Sequence, residues 1–272
     1  QGGRLMESIL LGLEPRLREL SERGGEFQGQ VESLTKSETG SPGADLVSQA
    51  DYWVQREMLN LFLENGLADC QLVAEESSAE LVPIMERFAA ESEYQLFLDP
   101  IDGTRRFLEG LPFFSTIVTL RHRHQSLYTF CYYPKLHWWI RLLGDSSWEI
   151  SGRLPLSLPT QPRCVVYTSG SPGEDFGDWQ EQLGDWTWLH GDEVHPCGSK
   201  LLYLSGSVAG YACAKPNLYD GLMIYHYAKV RKHQIKEFGS SSTAFDLGTW
   251  CDGPRGMFVP GRYLCIQSGS SS

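Results

Sequence analysis

The sequence predicts an α/β chain built as two layered halves, and three observations predict it. Segments with apolar residues at helical spacing alternate with short apolar runs of strand length. The stretch from Phe113 to Leu143 is β-rich throughout. A Pro- and Ser-rich segment, SGRLPLSLPTQP from Ser151 to Pro162, then divides the chain, and strand and helix alternate again beyond it. These place an N-terminal α+β half over residues 1–150, a C-terminal α/β half over residues 151–266 and a tail at 267–272.

Leu5, Ile9, Leu13, Leu17 and Leu20 recur at helical spacing, with Pro15 expected to break or kink that helix. Residues 24–44, rich in Gly, Ser, Glu and Thr, read as a loop or loose hairpin. Ser48 to Glu64 is a helix with Ala50, Val54, Met58, Leu61 and Phe62 on one side. Gln71–Ala74 and Gln95–Leu98 are short buried strands that end at acids, with a helix expected over Ala79–Glu91 between them. FFSTIVTLRHRHQSLYTFCYYP is a hairpin with its tip at Arg121–Gln125, and HWWIRLL is a third strand. In the second half the expected order is strand CVVY, a helix near Asp175–Leu183, strand WTWL, helices near Lys200–Ala212 and Tyr219–Lys232, then strands TAFDL, GMFV and RYLCI.

With 272 residues the chain can bury one large core or two smaller ones. Its formal net charge of −11 argues against wrapping nucleic acid, where binding rests on neutralising phosphates. A small anionic substrate needs only a local cationic site, which a metal can supply. Seven scattered cysteines without a C-x-x-C pair fit reduced thiols in a cytoplasmic protein. No apolar run is long enough to span a bilayer, so no membrane partner is expected.

Carboxylates recur at expected element ends: Glu75 and Glu76 in VAEES, Asp99 and Asp102 in DPIDGT, and Asp220 in LYDG. Converging acids repel and raise one another's pKa unless a cation intervenes, and all-oxygen ligation suits Mg²⁺. Gly103 and Thr104 open a short helical stretch whose N–H groups can face a phosphate. Plain structural roles stay open beside this reading. Strand-end acids also cap helices, Glu75-Glu76 is also a solvated charge pair, Ser48 and Asp51 make a capping box, and Asp220 can cap its helix.

ADLVSQAD (Ala44–Asp51), VAEES, LDPIDGTRRF (Leu98–Phe107), GSKLLYLSGSVAGYA (Gly198–Ala212) and LYDG together resemble the inositol monophosphatase superfamily of Mg²⁺-dependent, often lithium-sensitive phosphomonoesterases. The resemblance implies a layered αβαβα sandwich, a homodimer, a small phosphorylated metabolite as partner and two or three Mg²⁺ ions. It implies Glu75, Asp99, Asp102 and Asp220, with the Ile101 carbonyl, as metal ligands. Glu75, Thr104 and Asp51 are implied to orient and deprotonate a water for in-line attack on phosphorus. Asp102, Gly103, Thr104, Arg105, Gly198, Ser199 and Asp220 are implied to face the substrate. Lys36 aligns with a lysine upstream of the DLV motif, and the extra ETGSPG shifts that alignment.

The sequence also departs from the family's second motif, W-D-x-A-A followed by E-A-G-G. Tyr219 replaces the Trp, Leu222 and Met223 replace the alanines, and EFGS (Glu237–Ser240) stands for E-A-G-G. Arg105 and Arg106 replace the usual T-N-F continuation, as in histidinol-phosphate or 3'(2'),5'-bisphosphate nucleotide phosphatases, or are surface charges. A catalytically weakened member that binds phosphorylated ligands is the alternative from another class. His122, Arg123 and His124 read as a solvated hairpin tip, the tryptophans as core, and Cys197 and Cys213 as buried small apolar residues. His195 is a neighbour of the expected pocket.

Overall fold

A computed structural model describes residues 2–30, 33–35, 46–123, 125–168, 172–214, 216–239, 251–253, 256–258 and 261–267. Lys36, His124, Ser240 and the strand expected at residues 243–247 lie outside the described residues. The chain forms two compact units, Gln1–Arg153 and Leu154–Ser272.

The first unit opens with α1 (Gly2–Glu26), which continues through Pro15 without a break. Proline removes one main-chain hydrogen bond there, a cost of about 3 kcal/mol in a helix interior. Leu10, Leu13, Leu17 and Leu20 nonetheless form one buried stripe across both sides of it, and their burial holds the two halves in register. Two short antiparallel strands follow, β1 (Ser33–Thr35) inside the expected loop or loose hairpin of residues 24–44 and β2 (Leu46–Ser48) just beyond it. Helix α2 (Gln49–Glu64) follows and packs on α1. A Cβ added at Gly24 in α1 would lie 2.3 Å from Val54 Cγ2 in α2, so the helices meet where only glycine fits. Gly24→Ala is expected to destabilise the protein by about 1–3 kcal/mol through overpacking. Gly24→Ala/Val54→Ala should recover part of that loss, as read by urea unfolding of all three proteins.

Beyond α2 come β3 (Gln71–Ala74), the single turn α3 (Val82–Met85), β4 (Tyr94–Asp102) and α4 (Thr104–Leu108). The helix expected over Ala79–Glu91 is thus only one turn, flanked by turns and an isolated bridge from Ala89 to Gln71. Its periodic apolar residues are few, and Pro83 cannot extend a helix backwards past its own start. The remaining strands are β5 (Ser115–His122), β6 (Gln125–Tyr133), β7 (Trp138–Leu143) and β8 (Ser147–Ile150). They join in the order β3-β4-β5-β6-β7-β8, with β3 and β4 parallel and all later pairs antiparallel. α1 and α2 cover the apolar face of this sheet. On that face Glu14 of α1 is 4% exposed, takes a 2.7 Å hydrogen bond from Arg141 Nε on β7 and accepts another from the Tyr128 hydroxyl at 3.1 Å.

The second unit begins with β9 (Gln161–Tyr167), then α5 (Pro172–Asp175), α6 (Gly177–Leu183), β10 (Thr187–His190), α7 (Gly191–Val194) and α8 (Gly198–Leu204). β11 (Val208–Ala214), α9 (Leu218–Val230), β12 (Gln234–Gly239), β13 (Cys251–Gly253), β14 (Gly256–Phe258) and β15 (Gly261–Ile266) follow. The helix expected over Lys200–Ala212 stops at Leu204, and its second half is the buried strand β11. SVAGYA carries Gly210, which weakens a helix and admits the close approach of Val165 on the paired strand. The main sheet has the order β10-β9-β11-β15-β12, with β10, β9 and β11 parallel and β15 antiparallel to both neighbours. Trp179, Trp186 and Trp188 pack with Phe176 on this sheet, as core aromatics. The expected tail begins later than residue 267, because Gln267 donates from its amide to Ala209 O at 2.8 Å and from its side chain to Val208 O at 3.1 Å.

At the end of α9, the Tyr203 hydroxyl and His233 Nδ1 share a hydrogen bond at 2.5 Å. Burial, with the Arg231 charge adding to it, pushes the His233 pKa down to about 4. The unfolded chain therefore binds the extra proton between that value and about 6.5. The stabilisation is complete above pH 6.5 and is lost as pH falls towards 4. Allowing for the partial exposure of the ring, the loss is about 1–2 kcal/mol. Urea unfolding at pH 7 and pH 5 should show this fall in the wild type and a flatter profile in His233→Gln.

Candidate active site

The first unit places three of the expected acids around one irregularity in β4. Asp99 pairs with Ile117 and Asp102 with Ser115, so Pro100 and Ile101 together face the single residue Thr116. This is a β-bulge, and it has a geometric consequence. Residues three apart on a regular strand point to opposite faces, whereas Ile117 and Ser115 share a face. The inserted residue therefore turns Asp99 and Asp102 to the same side. Pro100 suits the bulge because it has no N–H to lose, and its carbonyl accepts from the Thr116 hydroxyl at 2.8 Å. The strand expected over Gln95–Leu98 is thus longer: β4 runs on through Asp99 and ends at Asp102, and the bulge aligns the two acids.

Asp99 is 4% exposed, and Asp102 accepts from the Ser115 hydroxyl at 2.9 Å. Glu75 follows the last paired residue of β3, and its amide donates to Leu98 O at 3.0 Å, which brings it beside the Asp99 end of the neighbouring strand. Glu76 is buried rather than solvated. Its N–H and C=O are both held by the buried Gln55 side chain, at 3.0 and 2.6 Å.

Asp51 performs two tasks. It completes the capping box of α2, accepting from Ser48 N at 2.7 Å and from the Ser48 hydroxyl at 2.6 Å through Oδ2. Its other oxygen, Oδ1, lies 3.3 Å from Thr104 Oγ1, which is also 3.1 Å from Ile101 O. A hydroxyl has one hydrogen, so Thr104 donates to one acceptor at a time and keeps its lone pairs for a third group. Gly103 precedes Thr104 at φ 90°, and a Cβ there would meet Phe113 O at 3.3 Å. Glycine is required on both counts. Gln28 fixes the far side of this turn by donating to Phe107 O and Leu111 O at 3.1 and 2.8 Å. Arg105 is exposed and lies 3.8 Å from Glu109 on the same short helix. A cavity of about 570 Å³ lies between α2 and the segment after Glu76, lined by Tyr52, Trp53, Arg56, Ser78 and Glu80 among others, and none of Glu75, Asp99, Asp102, Gly103 or Thr104 lines it.

The second unit holds the other expected residues. Ser199 donates its hydroxyl to Tyr167 O at 2.9 Å, and a Cβ on Gly191 would lie 2.2 Å from Ser199 N, so Ser199 locks α7 and α8 to β9. Gly198 opens α8 at φ 81°. Asp220 stands in the first turn of α9, its amide bonded to Asn217 Oδ1 at 3.1 Å, and its Oδ2 is 3.4 Å from Lys200 Nζ. His195 accepts from Cys197 N through Nδ1 at 3.1 Å. Cys197 and Cys213 are buried.

Among the described residues, no group of three or more His, Cys, Asp or Glu side chains is arranged to hold a metal ion as it stands. Sequence reasoning missed Gln55, Ser115, Thr116 and Lys200. Gln55 carried a signal: a polar residue four positions after Asp51 lies on the same helix face. Lys200 carried another, as a charge inside the apolar KLLYL run.

The model of the inositol monophosphatase family matches residues 19–206. The chain belongs to the inositol monophosphatase family. Over 119 residues it is 30% identical to a fructose-1,6-bisphosphatase/inositol-1-monophosphatase of Aquifex aeolicus (strain VF5), covering 43% of this chain and 41% of that one. The chain thus spans about two fifths of the length of the curated relative it matches. Among solved structures, the Thermotoga maritima IMPase shares the fold at a TM-score of 0.64 and 19% identity, covering 94% of this chain and 91% of its own. An IMPase/NADP phosphatase complexed with Mg²⁺ and phosphate does so at 0.66 and 15%, covering 97% and 92%. The α+β layering of helices and mixed sheets is therefore the family's. No helix among the described residues is long and apolar enough to cross a membrane.

Proposed function

We propose that this family member is a phosphomonoesterase dependent on a divalent cation, acting on a small phosphorylated metabolite. The observation that carries the reading is the Thr104 hydroxyl set between Asp51 and the Ile101 carbonyl, directly after two carboxylates turned to one face. The donors at that turn are all oxygen (Glu75, Asp99, Asp102 and the Ile101 carbonyl), the set a hard cation such as Mg²⁺ takes. Such an ion, when bound, acidifies water and neutralises charge on the phosphoryl group. A solved neighbour holding Mg²⁺ and phosphate supports the same chemistry.

The chain's own residues then have defined tasks. Asp51 takes the Thr104 hydrogen, which leaves the Thr104 oxygen to accept from a water and orient it. Glu75 receives the proton that the water gives up. The N–H groups of Gly103 and Thr104 hold phosphate oxygens, and Ser115 keeps Asp102 in place. Arg105, Gly198 and Ser199 are assigned to the substrate side by the resemblance. An inositol monophosphate is the leading substrate, with histidinol phosphate and a 3'(2'),5'-bisphosphate nucleotide as alternatives. A cytoplasmic homodimer is the accompanying expectation.

Phosphate release from these three substrates and fructose bisphosphate, with Mg²⁺ and with chelator, is the test. Mg²⁺-dependent turnover of one of them supports the proposal. Binding of Mg²⁺ by calorimetry with turnover of none would favour the weakened, ligand-binding alternative.

A further inference from the structure

The resemblance assigns Asp220 to metal, yet the chain already supplies a cation at that acid. Lys200 Nζ lies 3.4 Å from Asp220 Oδ2, and the Lys200 side chain is only 11% exposed. Both ends are fixed. Every residue of α8 from Gly198 to Leu204 is buried, so the lysine stem has little freedom to swing away. Asp220 belongs to the first turn of α9, whose N-cap Asn217 accepts from its amide. A nearly buried ammonium is kept charged by an adjacent carboxylate, and a long stem in a packed helix is not readily withdrawn.

We propose that Lys200 is the resident cation of Asp220: its ammonium takes the position at this carboxylate that a divalent ion would otherwise hold. A divalent ion approaching the same oxygen meets a positive charge 3.4 Å from it, held on a stem that is nearly buried although the Asp220 side chain is 31% exposed. The chain therefore carries one metal position fewer than its acids imply. Asp220 keeps a structural partner inside its own unit whether or not metal is present. The inference rests on the metal reading proposed above, in which an unoccupied Asp220 would be a ligand.

The test counts Mn²⁺ ions bound per full-length chain, by calorimetry and by the EPR signal of free Mn²⁺. The proteins are wild type, Lys200→Met, Lys200→Ala, Lys200→Arg, Asp220→Asn, Lys200→Met/Asp220→Asn and Asp99→Asn. Lys200→Met is expected to bind one Mn²⁺ more than wild type, and Lys200→Ala, which cannot overpack, to do the same. Lys200→Arg should keep the wild-type count. The added ion should vanish in Lys200→Met/Asp220→Asn, while Asp220→Asn alone leaves the wild-type count unchanged. Equal counts in wild type and both neutral variants, or loss of an ion in Asp220→Asn alone, would overturn the assignment. Failure of the metal reading shows separately, as an Asp99→Asn count equal to that of wild type; the difference between Lys200→Met and wild type still decides the role of Lys200.

Discussion

Asp99→Asn is expected to leave the protein folded and to lower metal-dependent phosphate release by roughly a thousandfold or more. That corresponds to about 4 kcal/mol of transition-state stabilisation, at 1.36 kcal/mol for each factor of ten. The substitution keeps the shape of a side chain that is 4% exposed, so packing against its neighbours is retained. What it removes is one of two negative charges that the bulge in β4 turns to a common face. Like charges on one face oppose each other, so in chelator the melting temperature should equal or exceed that of wild type. In saturating Mg²⁺ the order should reverse, because a cation that binds only the folded state stabilises by mass action and the variant binds it less well. Melting curves with Mg²⁺ and with chelator, beside phosphate release, check both halves. A variant with wild-type turnover would place the reacting water elsewhere.

The second large effect lies in the core. Arg141→Ala should destabilise the first unit by about 3–5 kcal/mol, because it leaves the buried Glu14 carboxylate without its counter-ion. Glu14 would keep the Tyr128 hydroxyl, whose own pKa is held well above the ordinary range by burial first and by Glu14 second. One neutral donor does not offset a buried charge. The partner on the solvent side, Glu149, is more than half exposed and contributes far less. Glu14→Leu/Arg141→Met removes both charges and is expected to recover most of the loss, since apolar replacements of a buried ion pair pack without desolvating charge. Chemical denaturation of the wild type, Arg141→Met, Glu14→Leu and the double variant closes the cycle and measures the coupling, with Arg141→Ala beside them.

How far the sequence carried the reading depends on which force fixed each element. The stripe of α1 and the apolar face of α2 were legible because burial recurs every three to four residues. Pro15 pointed to a break because local propensity says so, and the stripe on both sides of it prevailed. SVAGYA is read locally as the continuation of a helix; its pairing with β9 and β15, distant in sequence, makes it a strand. The acids were legible as a group, and the capping box of Ser48 and Asp51 was legible as a separate, plainer alternative. The capping box is present through Asp51 Oδ2, and Asp51 Oδ1 is left to face Thr104 Oγ1 at 3.3 Å. The bulge was not legible: proline marks an irregularity, but the register that shows two residues facing one comes from β5. Nor were the ties from Gln55 and Lys200, whose partners lie 21 and 20 residues away.

The shared duty of Asp51 affects how any substitution there is to be interpreted. Because one oxygen caps α2 and the other faces Thr104 Oγ1, an alanine at this position would remove a helix cap together with the partner that the proposed reaction gives Thr104. Loss of activity alone could not then apportion the damage between chemistry and folding. Ser48→Ala and Thr104→Val each cut a single strand of the knot. Compared with the alanine, they separate the capping role of this carboxylate from the role proposed for it beside Thr104.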